Sequence, residues 1–174
     1  GKGGNPAGVV FNADNLSNEQ KLSIAKKVGL SETAFVSKSN IADFKLDFFT
    51  PTRQIAHCGH ATIATFSYLS QQNLIKGELT SKETIDGTRE ILIQGDLAFM
   101  EQKAPTFRDV ENSNEKILKS LHLTKDEILT NASISLVNTG NSFVIVPVKS
   151  AEVLKHIQPN YDLIFEISEE LDLI

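Results

Sequence analysis

Apolar positions in the first hundred residues follow two periods, and these predict where strands and helices lie. Val9, Val10 and Phe11 follow the turn-forming Gly3-Gly4-Asn5-Pro6 and open a strand. Ser17 and Gln20 have capping-box spacing, Leu22, Ala25 and Val28 recur at helical spacing, and Gly29 can close the segment. A helix is predicted over 18–28, with Lys21, Lys26 and Lys27 on its solvated face. Residues 33–37 read as a strand. Phe44, Leu46 and Phe48 alternate with Lys45, Asp47 and Phe49, which predicts a second strand with one buried face, ended by Thr50-Pro51-Thr52.

Residues 59–72 differ in kind. Ala61, Ile63, Ala64, Phe66 and Leu69 leave only small polar residues between them, and no charge occurs in the segment. A helix without a polar face is normally buried, so this one is expected to be wrapped by sheet. Strand-like runs follow near 79–84, 90–94 and 97–102, with Gly95-Asp96 as a two-residue hairpin turn. Ala104-Pro105 marks a boundary, which predicts domains at 1–103 and 104–174. Beyond it come a helix over 114–121, a helix-start signal at 124–127, strands over 134–137 and 143–148 around Thr139-Gly140-Asn141, and helices over 151–157 and 162–171. Strands with irregularly interspersed helices favour an α+β fold with mostly antiparallel sheet.

Composition narrows the function classes. The 174 residues carry a net charge of -5 and no visible basic patch, which argues against nucleic acid as a partner. The single cysteine excludes an internal disulfide and fits a reducing compartment. No apolar run approaches the ~18 residues of a membrane span, and no secretory signal is visible. The expectation is a soluble, cytoplasmic protein with no membrane partner.

Two stretches carry the candidate chemistry. Ser31-Glu32-Thr33-Ala34-Phe35-Val36 sets a carboxylate at the mouth of an apolar strand, where it would be partly desolvated and suited to carry a proton. A glutamate at an exposed strand end is the plainer reading of the same spacing. His57-Cys58-Gly59-His60-Ala61-Thr62 sets a thiol, a glycine and an imidazole at a helix start. As a metal site it is weak, because the ligands crowd together and His122 and His156 have no partnering pattern. A thiol there would have a lowered pKa, although no triad signature accompanies it. The free amides of Gly59, His60 and Ala61 would suit an anion, and a buried cysteine beside a capping histidine accounts for the same residues. Gly4-Asn5-Pro6 and Gly140-Asn141-Ser142 are similar turns before similar apolar runs, which hints at two related halves.

In order, Gly4-Asn5-Pro6-Ala7-Gly8-Val9-Val10, Ser31-Glu32-Thr33-Ala34-Phe35-Val36, Phe49-Thr50-Pro51 and Cys58-Gly59-His60-Ala61-Thr62 resemble the PhzF-like phenazine-biosynthesis proteins. The likeness continues through Gly87 and Asn138-Thr139-Gly140 to Phe143-Val144-Ile145-Val146-Pro147-Val148, so it covers essentially the whole chain. It implies the α+β fold of diaminopimelate epimerase: two pseudo-symmetric domains, each a curved, mostly antiparallel sheet around a central helix, with the active site in the cleft between them.

The resemblance also implies a cofactor-independent isomerase, without a metal, acting on a small cyclic or amino carboxylate. Glu32 would be the acid/base and His60 would lie beside the substrate. Gly59, His60 and Ala61 would hold the substrate carboxylate, with Asn5 and Asn141 at the cleft border. Cys58 aligns with the catalytic thiol of the epimerase branch, which leaves open a cysteine-based racemase, and a non-catalytic scaffold is a further alternative. Gln54 and His57 depart from the family's usual acidic and apolar residues. The Gly-x-x-Glu-Asp-Pro-x-Thr-Gly-Ser type segment of the second domain has no match here, nor does a strand before Gly3. On that reading the second domain is incomplete, the chain alone is inactive, and its partner is a second copy or the complementing remainder of the same protein.

Overall fold

The computed structural model describes residues 4–173, and the chain forms two units, Gly1–Gln102 and Lys103–Ile174. Gly3 of the predicted turn lies outside the described residues. In the first unit, β1 (Gly8–Val10) leads through a short turn to α1 (Asn18–Val28), then to β2 (Thr33–Ser37), β3 (Phe44–Phe49), β4 (Gln54–Ile55), α2 (Gly59–Gln71), β5 (Leu79–Thr84), β6 (Gly87–Gln94) and β7 (Leu97–Met100). The strands form one sheet in the order β1-β2-β3-β5-β6-β7, with β4 also pairing β3. Pairing is parallel at β1–β2 and β3–β5 and antiparallel elsewhere.

Helix α1 forms where its caps predict it. The Ser17 side chain accepts the Gln20 amide, the Gln20 side chain accepts the Ser17 amide, and Gly29 ends the helix at φ +68°. Its faces differ from expectation. Lys21 is buried in an ion pair with Asp47 at 2.5 Å, and Val28 is 41% exposed. Strand β3 is therefore buried on both faces from Leu46 to Phe49, not on one. Successive residues point to opposite sides of a strand. Ala34, Val36, Leu46 and Phe48 accordingly pack with Phe66 and Leu69 of α2 on one side. Phe35 and Phe49 meet edge to face at 5.5 Å on the other, against Ala25 of α1.

Helix α2 lies within this sheet as its uncharged sequence predicts, in contact with β1, β2, β6 and β7. Ala61, Thr62, Thr65, Phe66 and Leu69 are buried, and Tyr68 marks the exposed edge. The β6–β7 hairpin turns at Gly95-Asp96, where Gln94 pairs with Leu97 and Gly95 takes φ +57°. The two-residue β4 carries no pattern long enough to have been predicted.

The second unit contains β8 (Thr106–Asp109), α3 (Asn114–Ser120), β9 (Ser135–Asn138), β10 (Ser142–Ile145), α4 (Ala151–His156) and α5 (Tyr161–Leu171). Its strands form an antiparallel sheet, β10-β9-β8. Ile117 and Leu118 of α3, Leu136 of β9 and Ile167 of α5 make its core. The start signal at 124–127 yields only a single 3-10 turn, closed by a Thr124–Glu127 capping box, after which Ile128 is extended. Strand β10 stops at Ile145, short of the predicted 148, and β8 is exposed throughout, so no buried-face pattern announced it.

Candidate active site

Glu32 immediately precedes β2, and its backbone is fixed by the sheet edge. The Gly8 amide donates to the Glu32 carbonyl at 2.9 Å, and Gly8 pairs with Thr33 in parallel register. Gly8 must lack a side chain: a Cβ there would lie 2.7 Å from Thr33 Oγ1 and 3.0 Å from Thr33 Cγ2. The same register brings Asn5 beside Ser31, whose hydroxyl donates to Asn5 Oδ1 at 3.2 Å.

Cys58 is the N-cap of α2, and the helix ladder begins with the Thr62 amide donating to the Cys58 carbonyl at 3.2 Å. The Gly59, His60 and Ala61 amides thus stand outside the ladder. A Cβ on Gly59 would meet nothing closer than Met100 Cε at 3.8 Å, so packing does not require glycine there. Its lack of a side chain leaves the first turn open to close approach from outside.

His60, in the first turn of α2, reaches the Glu32 carboxylate at the sheet edge. Its Nε2 lies 3.1 Å from Glu32 Oε2, and both side chains are partly buried, at 29% and 18% exposure. Neither atom has a hydrogen-bond partner among the described residues, so the two meet at ion-pair distance without hydrogen-bond alignment. On the other side of the ring, Nδ1 receives the Asn5 amide nitrogen at 3.4 Å and the Cys58 sulfur at 3.5 Å. Both neighbours can donate, which favours Nδ1 as acceptor.

The helix start does not lower the Cys58 pKa as the sequence suggested. Burial pushes the thiol up from its ordinary 9.0 to about 11, and the nearby Glu32 carboxylate adds to the rise. The Ala61 and His60 amides and Lys82 pull it down, but desolvation outweighs them. At neutral pH Cys58 is a thiol. Glu32, Cys58 and His60 each offer a ligand atom within 4.8 Å of the others, a donor set that suits a divalent ion such as zinc. His60 turns Nε2 to Glu32 and Nδ1 to Cys58, so no single ring nitrogen faces both of the other donors, which stands against that use.

Sequence reasoning therefore named Glu32, His60, Cys58, Asn5, Gly59 and Ala61, and the first unit brings them together. Asn141 lies in the second unit, in the β9–β10 turn between Asn138 and Ser142. Gln54, one of the departures from the family pattern, accepts a hydrogen bond from the Asn18 side chain at 3.3 Å, at the start of α1. Sequence reasoning missed Lys82. It stands on the inward face of β5 with Thr80 and Thr84, and no hydrophobic pattern marks that face as buried.

A family model described as phenazine biosynthesis-like protein matches residues 1–172. The chain belongs to this family. An uncharacterised isomerase of Clostridium acetobutylicum is 36% identical over 95% of this chain and 58% of its own length. Among solved structures, the PhzF-family phenazine biosynthesis protein of Bacillus anthracis is 36% identical with a TM-score of 0.76, covering 90% of this chain and 55% of that one. A predicted epimerase of Pseudomonas aeruginosa has a TM-score of 0.79 at 18% identity, over 98% of this chain and 62% of that one, which shows a shared fold. The α+β epimerase-like fold is thus established. The chain spans less than two thirds of the length of the curated relatives it matches. Among the described residues, no helix is long and apolar enough to cross a membrane.

Proposed function

We propose that this protein is an isomerase that moves a proton within a small carboxylate, with Glu32 as the acid/base. The observation that carries the reading is the Glu32–His60 contact at the start of α2, where a carboxylate, an imidazole and unladdered amides converge. The Glu32 carboxylate takes a proton from a carbon next to an unsaturated or carboxyl-bearing centre. The electron pair of the broken C–H bond shifts into the neighbouring π system. Glu32 then returns the proton to another carbon, or to the other face of the same one, so atoms and electrons balance with acid/base chemistry alone. His60 lies beside that carboxylate, with Nε2 at 3.1 Å, and the first-turn amides with the positive end of the helix dipole hold the substrate carboxylate.

The isomerase name of the Clostridium acetobutylicum relative supports this reading. Asn5 and Ala61 belong to the same wall, while Asn141 enters on the family resemblance alone. Cys58, held as a thiol, serves as donor to His60 Nδ1. A cysteine base would need the thiolate that burial disfavours. The test is a thermal-shift screen of small carboxylates on the intact protein, because a bound ligand raises apparent stability by mass action. Hits, beginning with dihydro-hydroxyanthranilate-type compounds, are then followed for solvent deuterium incorporation. Stabilisation with exchange supports the isomerase. Binding without exchange supports a non-catalytic binding protein, and exchange lost in Cys58→Ser but kept in Glu32→Gln supports the cysteine base.

A further inference from the structure

Lys82 is wholly buried on the inward face of β5, beneath the first turn of α2. Its Nζ donates to Thr62 Oγ1 at 2.7 Å, and the Thr62 hydroxyl donates onward to the Cys58 carbonyl at 2.6 Å. The ammonium also sits 5.1 Å from the centre of the Phe48 ring. No carboxylate among the described residues is recorded in an ion pair with it, and Asp86 at the β5–β6 turn is engaged with Arg89. An unneutralised buried lysine is costly for the fold, and a methionine of similar length would fill the same space without that cost.

We infer that Lys82 is a positioning residue of the proposed site: its ammonium braces the first turn of α2 through Thr62 and makes that turn more attractive to an anionic ligand. The inference deepens the isomerase reading and rests on it for the identity of the anion. Three charged or titratable groups act on Lys82 from the surrounding elements: Arg89 on β6, Cys58 at the start of α2, and Asp86 in the β5–β6 turn. Burial first, and Arg89 second, bring Lys82 down from 10.5 to about 7, while Cys58 and Asp86 oppose the fall. The charge is therefore present below neutrality and lost above it, so the pull on an anion weakens as pH rises.

Cys58, the sole cysteine, provides a readout that needs no turnover. The rates of its alkylation by anionic iodoacetate and by neutral iodoacetamide are measured from pH 6 to 8.5. Their ratio cancels the thiolate fraction and the thiol's exposure, leaving the attraction for a carboxylate. In the wild type the ratio should fall with rising pH by about threefold to tenfold, the scale of one partly screened charge. In Lys82→Met it should be lower and its fall smaller than in the wild type, whereas in Thr62→Val, which keeps the charge and loses the hydrogen bond, the full fall should remain. A fall in Lys82→Met equal to that of the wild type overturns the inference. Lys82→Gln substitutes if the methionine variant does not fold, and a wild-type ratio constant across the range overturns it without any variant. A protein inert toward every carboxylate would sink the isomerase reading and leave this result standing.

Discussion

His60 Nε2 and Glu32 Oε2 face each other at 3.1 Å, although 28 residues separate them and they are presented by different elements. Glu32 is delivered by the edge of a sheet and His60 by the first turn of the helix that the sheet encloses. Their meeting depends on the β1–β2 register, because Gly8 pins the Glu32 backbone and brings Asn5 within reach of the other imidazole nitrogen.

That dependence makes Gly8 a sensitive position. Gly8→Ala drives a Cβ into the β-branched Thr33 side chain, which is itself buried and cannot swing away. We expect a loss of about 1–3 kcal/mol in denaturant unfolding, the usual scale of overpacking. Gly8→Ala with Thr33→Ala should recover part of it. A single variant as stable as wild type would show that the strand edge is looser than described.

Lys21 and Asp47 should behave as a buried pair that tolerates joint but not single replacement. Asp47→Ala leaves the Lys21 ammonium buried without its partner and should cost about 3–5 kcal/mol. Lys21→Met with Asp47→Leu should be close to neutral. A double-mutant cycle checks this, and near-additive losses would contradict it.

Stability should rise with pH just above neutrality because of Lys82. Its folded pKa, about 7, lies below the ordinary 10.5, so between these values the unfolded chain holds a proton that the folded chain has released. The slope is at most about 1.4 kcal/mol per pH unit. Cys58 acts in the opposite direction from pH 9.0 upward, because its folded thiol keeps a proton until about 11. Wild-type stability should therefore climb from pH 7 to 9 and level off beyond. Urea titrations of Lys82→Met should lack that climb. Equal slopes in both proteins would contradict the assignment.

Gly59→Ala separates folding from binding. Space exists for the methyl group, and alanine is the better helix former, so stability should stay within about 1 kcal/mol of wild type. Carboxylate binding by thermal shift should weaken, because the methyl group crowds the open first turn. Unchanged binding would place the carboxylate elsewhere.

What the sequence made legible was local. Ser17, Gln20 and Gly29 bound α1 through contacts a few residues apart, and the charge-free run from Gly59 marks a helix enclosed by sheet. Glu32, Cys58 and His60 were visible as chemistry because each sits where an apolar element begins. What stayed hidden depends on distant partners. Lys21 reads as a surface lysine until Asp47, 26 residues on, is found beside it. Strand β5 turns Thr80, Lys82 and Thr84 inward and leaves Leu79 59% exposed, which inverts the usual pattern. The raised Cys58 pKa was missed for a similar reason, since the sequence shows a helix start but not the burial that outweighs it.

The most direct test of Glu32 as acid/base compares solvent deuterium incorporation into a bound carboxylate by the intact wild-type protein and by Glu32→Gln, which keeps the side chain's shape and removes its proton-carrying oxygen. Glu32→Gln should bind the compound and incorporate deuterium at least about a hundredfold more slowly, the scale of a lost general base. Incorporation by Glu32→Gln at the wild-type rate would contradict that role.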